Sequence, residues 1–138
     1  MHPFRTAIEN HDEEALAALL SHDVFFISPV VFRPYRGKAI TLSIVRAVGK
    51  LFEDFQYTQV MTDVTGRYQS LVFEAKVGPR HVTGCDFLHY DEFGFIDELM
   101  VMLRPLQGTM AVAAAMGAQF DQIEQDAIEL ARRQSAGV

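Results

Sequence analysis

Four consecutive stretches of period-two alternation, each closed by a turn signal, constrain this chain more than any other feature. Phe55, Tyr57, Gln59 and Met61 alternate with Gln56, Thr58 and Val60, and Leu71, Phe73 and Ala75 alternate with Glu74 and Lys76 before Gly78-Pro79. Arg80 to Tyr90 and Phe95 to Arg104 follow, separated by the acidic turn Asp91-Glu92-Phe93-Gly94. Alternation of this kind marks strands, and short turns between strands make hairpins, so this half of the chain predicts an antiparallel meander. Upstream the spacing is helical. Phe4, Ile8, Ala15, Leu16, Leu19 and Leu20 predict a helix broken near Asn10–Asp12, and Ile40, Ile44, Val45, Val48, Leu51 and Phe52 predict another over Lys38 to Phe52. Between them lie a short strand, Val24 to Ser28, and the proline-bracketed loop Pro29 to Gly37.

Helices followed by a meander imply an α+β fold in which the helices pack on one face of an antiparallel sheet. Pro105 ends the last strand, and Leu106–Ala118 and Phe120–Arg133 read as two further helices separated at Gly117, leaving Ser135–Val138 as a loose tail. No repeat or linker divides the 138 residues, so one domain is expected, with a core over about 4–104 and a C-terminal helical extension over 106–134.

Charge and motif content exclude several functions. A net charge of −6 opposes binding to nucleic acid or an anionic membrane surface. No apolar run is long enough to span a bilayer, the amino terminus lacks a signal-peptide pattern, and a lone Cys85 forms no internal disulfide, which together suggest a cytoplasmic protein. There is no glycine-rich phosphate loop, His-Glu-x-x-His helix or paired-cysteine site, so neither a metal nor a cofactor is expected. Cys85 reads as a packing residue, and His81 and His89 share the face of an ordinary surface or interface strand.

Asp86 is different. It shares a strand face with Gly84, Leu88 and Tyr90, where an ionised carboxylate is costly unless paired. Two readings stand: it satisfies backbone or arginine donors within the fold, with Arg67, Arg80 and Arg104 available in neighbouring strands, or it is the principal polar group of an apolar ligand pocket.

The order Ser28-Pro29-Val30, Pro34, Gly37 and Asp86-x-Leu88-x-Tyr90-Asp91-Glu92-x-Gly94-x-Ile96 resembles the ketosteroid isomerases and SnoaL-like polyketide cyclases. These belong to the cystatin-like, nuclear transport factor 2-like superfamily. The resemblance spans Phe4 to about Leu103. It implies a cone-shaped curved sheet wrapped around the helices, a deep pocket for a small apolar ligand, and a homodimer formed through the outer sheet face.

Ketosteroid isomerase combines an aspartate base with a protonated aspartic acid that acts beside a tyrosine. By the resemblance Asp86 takes the place of the protonated acid, while the base position holds Ser28 and the tyrosine position Phe4. A serine hydroxyl alone cannot take a proton from carbon, and phenylalanine cannot hydrogen-bond an oxyanion. The ordinary steroid isomerase mechanism is therefore not expected. A cyclase- or isomerase-like reaction of an apolar carbonyl compound with Asp86 as acid/base or oxyanion donor stays open, as does binding without chemistry. Phe4, Ser28, Tyr57, Phe73, Leu88, Leu99 and Val101 are the expected ligand-binding wall, with Tyr57 and Tyr35 as further polar groups. Met110, Val112, Ala113 and Met116 are candidates to cover the pocket mouth or meet a second subunit.

Overall fold

The computed structural model describes residues 2–136. Helices α1 (Pro3–Glu9) and α2 (Glu13–Leu19) fall on either side of the polar group at Asn10–Asp12. Each has a local cause. The His2 ring accepts the Arg5 N–H at the start of α1, with Pro3 in its first turn. Asp12 accepts the Ala15 N–H of α2, whose first turn carries Glu13 and Glu14 near its positive end. The chain then forms β1 (Leu20–Ile27), β2 (Tyr35–Arg36), α3 (Lys38–Leu51), β3 (Glu53–Thr62), β4 (Tyr68–Val77), β5 (Arg80–Tyr90), β6 (Ile96–Arg104) and α4 (Leu106–Ala136). The prolines Pro29 and Pro34 confine the intervening loop to one two-residue edge strand, β2.

The six strands lie in the order β2-β1-β6-β5-β4-β3. The meander is antiparallel as expected, but β1 runs parallel to β6, so the sheet is mixed. Alternation reports which face of a strand is covered and is silent on the direction of its neighbour, which is why the sequence predicts a purely antiparallel sheet. β5 is central to the meander, with Leu71 and Val101 flanking Asp86 in register. One face of β5, carrying Val82, Gly84, Asp86 and Leu88, is buried against the helices.

The C-terminal extension is one helix of 31 residues. Gly117 does not divide it, because one glycine costs a helix only about 1 kcal/mol and tertiary packing outweighs that. Val112 and Ile123 are buried on the core side, and the Ser43 hydroxyl of α3 donates to the Ile123 carbonyl at 2.7 Å. Of the expected loose tail, Ser135 and Ala136 complete α4, and Gly137 and Val138 lie outside the described residues.

Gly84 shows how tightly the inner face is built. The Phe73 ring lies directly over it, where any Cβ would collide with the ring. Gly84→Ala must displace Phe73 or bend β5, an overpacking cost of about 1–3 kcal/mol that urea denaturation will register as a lower midpoint with an unchanged slope.

Candidate functional site

The inner face of the sheet and the helices enclose a cavity of about 1080 Å³. Its sheet wall comes from Phe55 and Tyr57 on β3, Phe73 on β4, Asp86 on β5, and Leu99, Val101 and Leu103 on β6. Phe4 and Ile8 of α1, a stripe of α3 that includes Val45, Val48 and Gly49, and Val112, Ala113, Met116 and Phe120 of α4 close it from the other side. The wall is apolar because β-strand residues of one parity and helix residues at three- and four-residue spacing all turn toward it.

Asp86 is the charged group placed deepest in that wall, only 8% exposed. Its partner is a tyrosine. The Tyr57 hydroxyl donates to Asp86 Oδ2 at 2.6 Å. Phe55 and Phe73 stack at 4.8 Å, and both meet the Tyr57 ring edge-on at 90°, with centroids 4.9 and 6.2 Å away. This aromatic cluster fixes the phenol. Among the described residues no buried side-chain oxygen or nitrogen is left without a partner. Among the described residues Asp86 Oδ1 has no hydrogen-bond partner, so it is the oxygen that opens to the cavity.

Burial pushes the Asp86 carboxyl up to about 7, against a smaller lowering by the Tyr57 hydrogen bond. Burial, with the Asp86 charge and hydrogen bond behind it, raises Tyr57 far above the ordinary tyrosine value, so the phenol keeps its proton. A carboxyl with this midpoint exists in both protonation states near neutral pH, as required of a group that both takes and returns a proton.

The alternative that an arginine neutralises Asp86 fails: among the described residues no ion pair includes it. Arg104 opposes Thr83 rather than Asp86, and Arg80, at the start of β5, bonds to Gln107.

Phe4, Ser28, Tyr57, Phe73, Leu99, Val101 and Asp86 all border the cavity. Leu88 does not. It shares the strand face of Asp86 but is 2% exposed and packed within the core, because parity sets a residue's face and not how far a cavity runs along the strand. Ser28 lies at the edge, its hydroxyl oxygen accepting the Val30 N–H at 3.1 Å. Tyr35 also lines the cavity, between Phe26 and Phe120. Val112, Ala113 and Met116 contribute to the wall, whereas Met110 is exposed and away from it.

Elsewhere the polar side chains have ordinary roles. His81 pairs with Glu74 and His89 with Asp97, each at 2.5 Å, on the outer face. Burial, and then the Asp86 charge, push the half-buried Cys85 thiol up, away from the nucleophilic thiolate. Among the described residues no three His, Cys, Asp or Glu side chains converge as metal ligands, and no helix is long and apolar enough to cross a membrane. The contributions of Val45, Val48 and Phe120 were legible only as core stripes, since nothing in helical spacing separates a core wall from a cavity wall.

No protein-family model matches the chain, and no curated protein matches it in sequence. Solved structures do. A steroid delta-isomerase from Pseudomonas aeruginosa superposes with a TM-score of 0.82 at 34% identity, covering 86% of this chain and 87% of that one. An uncharacterised bacterial protein with a cystatin-like fold from Silicibacter pomeroyi DSS-3 gives 0.80 at 29% identity, over 85% and 82%. A protein proposed to be a polyketide cyclase, from Pseudomonas putida KT2440, shares the fold alone, with 0.62 at 16% identity over 77% and 89%. The mixed sheet closed over its helices, the buried carboxyl on β5 and the 34% identity to an isomerase lead to one assignment: the chain belongs to the ketosteroid isomerase-like, SnoaL-like family of the nuclear transport factor 2-like superfamily.

Proposed function

We propose that this protein is an isomerase- or cyclase-like enzyme acting on an apolar carbonyl compound of steroid or polyketide size, with Asp86 as its acid/base group. The observation that carries this reading is the Asp86–Tyr57 pair: one buried carboxyl, with one oxygen held at 2.6 Å and the other open to an apolar cavity. In the carboxylate form Asp86 takes the proton from a carbon next to the carbonyl. The C–H electron pair becomes the new C=C bond and the carbonyl π pair moves to oxygen, giving an enolate. Where a C=C lies β,γ to the carbonyl, the pair is spread over a dienolate and Asp86 returns the same proton to the γ carbon, the double bond ending between the α and β carbons. Otherwise the enolate carbon attacks a second carbonyl within the molecule and the proton goes to the oxygen formed there. Neither route changes oxidation state or needs a second reactant. The tyrosine hydroxyl that Phe4 does not supply is present on Tyr57, where it steadies the carboxylate. The similarity to a steroid delta-isomerase supports the reaction class.

Exchange of α-hydrogen in D2O tests this without knowledge of the natural substrate. With 2-tetralone as probe, the protein will accelerate deuterium uptake beside the carbonyl over the buffer rate, read by NMR. A second reading, binding without chemistry, draws on Ser28 at the base position and Phe4 in the first helix. Saturable binding of 2-naphthol with no acceleration of exchange would favour it.

The homodimer expected through the outer sheet face is also proposed. Phe25, Tyr68 and Met102 project from that face and are 40, 56 and 51% exposed, more apolar surface than isolated residues leave to water. Sedimentation equilibrium is expected to give twice the chain mass, and Met102→Lys is expected to shift the protein toward monomer by placing like charges at the interface.

A further inference from the structure

The charged groups around the cavity are unevenly partnered. Glu9 is bonded to Arg5 at 3.2 Å, Glu13 to Arg46 at 2.6 Å and Asp54 to Lys76 at 3.8 Å, while Asp12 caps α2. Arg46 reaches Asp126 as well. Each carboxylate of the lining therefore has a partner. His11 and Lys50, the other basic side chains of the lining, form no ion pair among the described residues.

Both border the cavity near the C-terminal end of α3. His11 turns the chain between α1 and α2 with a φ of 51°, in the left-handed region that non-glycine residues seldom adopt. Its ring rests against α3 at Gly49, where a Cβ would stand 3.4 Å from Nδ1, and Lys50 is the next residue along that helix. The result is an edge with two nitrogen donors, an ammonium and an imidazole, on a cavity whose interior is apolar and whose deep polar group is Asp86.

We propose that the ligand is a keto acid: its carbonyl end reaches Asp86 and Tyr57, its apolar body fills the cavity, and a carboxylate at its far end is received by Lys50 and His11. This rests on the reading of Asp86 and Tyr57 as the reacting end, and adds the chemical class of the substrate. A chain of net charge −6 repels anions in bulk, so an anionic ligand needs a local cationic contact at the entrance. Two donors match one carboxylate, and the acidic neighbours Glu9, Asp12, Glu13 and Asp54 disfavour a more highly charged phosphate.

The test is direct binding, by calorimetry, of a graded series of (4-hydroxyphenyl)alkanoic acids and their methyl esters, the phenol standing in for the enol at Asp86. At the chain length that spans the cavity, the acid is expected to bind about fivefold more tightly than its ester, a preference that shrinks as salt is raised. Lys50→Gln is expected to remove the preference while leaving ester affinity unchanged, and Lys50→Arg to keep it. Esters binding as well as acids at every length, or a preference that survives Lys50→Gln, would overturn the carboxylate contact. Asp86→Asn separates the two claims. If it leaves α-hydrogen exchange of 2-tetralone at the native rate while the Lys50-dependent preference persists, the carboxylate edge stands and the Asp86 reading falls.

Discussion

Asp86→Asn is expected to lower kcat for α-hydrogen exchange of 2-tetralone by about 10²–10⁴-fold, with little change in KM. Asparagine has nearly the same shape and can still accept the Tyr57 hydrogen bond, so the cavity wall and the aromatic cluster around Tyr57 are preserved. What is lost is proton transfer alone. The comparison with Tyr57→Phe identifies the division of labour. That change removes the hydrogen bond that lowers the Asp86 midpoint, so the pH at which the rate is half-maximal is expected to move up while the rate on the plateau falls by less than in Asp86→Asn. A larger loss in Tyr57→Phe than in Asp86→Asn would make the phenol, and not the carboxyl, the principal group.

The same carboxyl should govern stability as a function of pH. In the unfolded chain Asp86 titrates near its ordinary 3.8, and in the folded protein burial holds it at about 7. Below about pH 4 both states carry the proton and the group makes no difference. Between about pH 4 and 7 the unfolded chain gives up the proton and the folded one keeps it, so stability falls as pH rises through this window. Above about pH 7 the loss is complete and amounts to about 4 kcal/mol. Asp86→Asn has no such titration. Urea denaturation at a series of pH values is expected to show the variant gaining on the native protein by about 4 kcal/mol between pH 4 and 8, other groups cancelling between the two. Parallel stability curves would mean that Asp86 is solvated or paired with a cation.

The strands of the meander and the helices α1 to α3 are legible because each carries its own signal: period two on β3 to β6, the polar break at Asn10–Asp12 between α1 and α2, and an apolar stripe on α3. What sequence could not give lies between elements. The parallel pairing of β1 with β6 depends on the crossing of the helices and loop between distant strands, and no local pattern encodes it. Continuity of α4 through Gly117 depends on contacts with α3, such as the Ser43 to Ile123 bond, which span 80 positions. At the site, Asp86 was visible as a carboxyl out of place on an apolar face. Its partner was not, because Tyr57 sits two strands away across β4, and only the folded aromatic cluster aims its hydroxyl. Leu88, expected in the ligand-binding wall, lies on the expected face of β5 but beyond the reach of the cavity, a distinction of depth that parity does not contain.

The central claim is that Asp86 is a buried carboxyl balanced between its two protonation states, and its own titration tests that most directly. With aspartate labelled at the side-chain carboxyl carbon, ¹³C NMR resolves the individual groups as pH is varied, and the signal missing from Asp86→Asn identifies residue 86. The expected result is a single transition near pH 7 for that signal, moving higher in Tyr57→Phe. A transition near pH 4 that is indifferent to Tyr57 would contradict it, and with it the acid/base role proposed for Asp86.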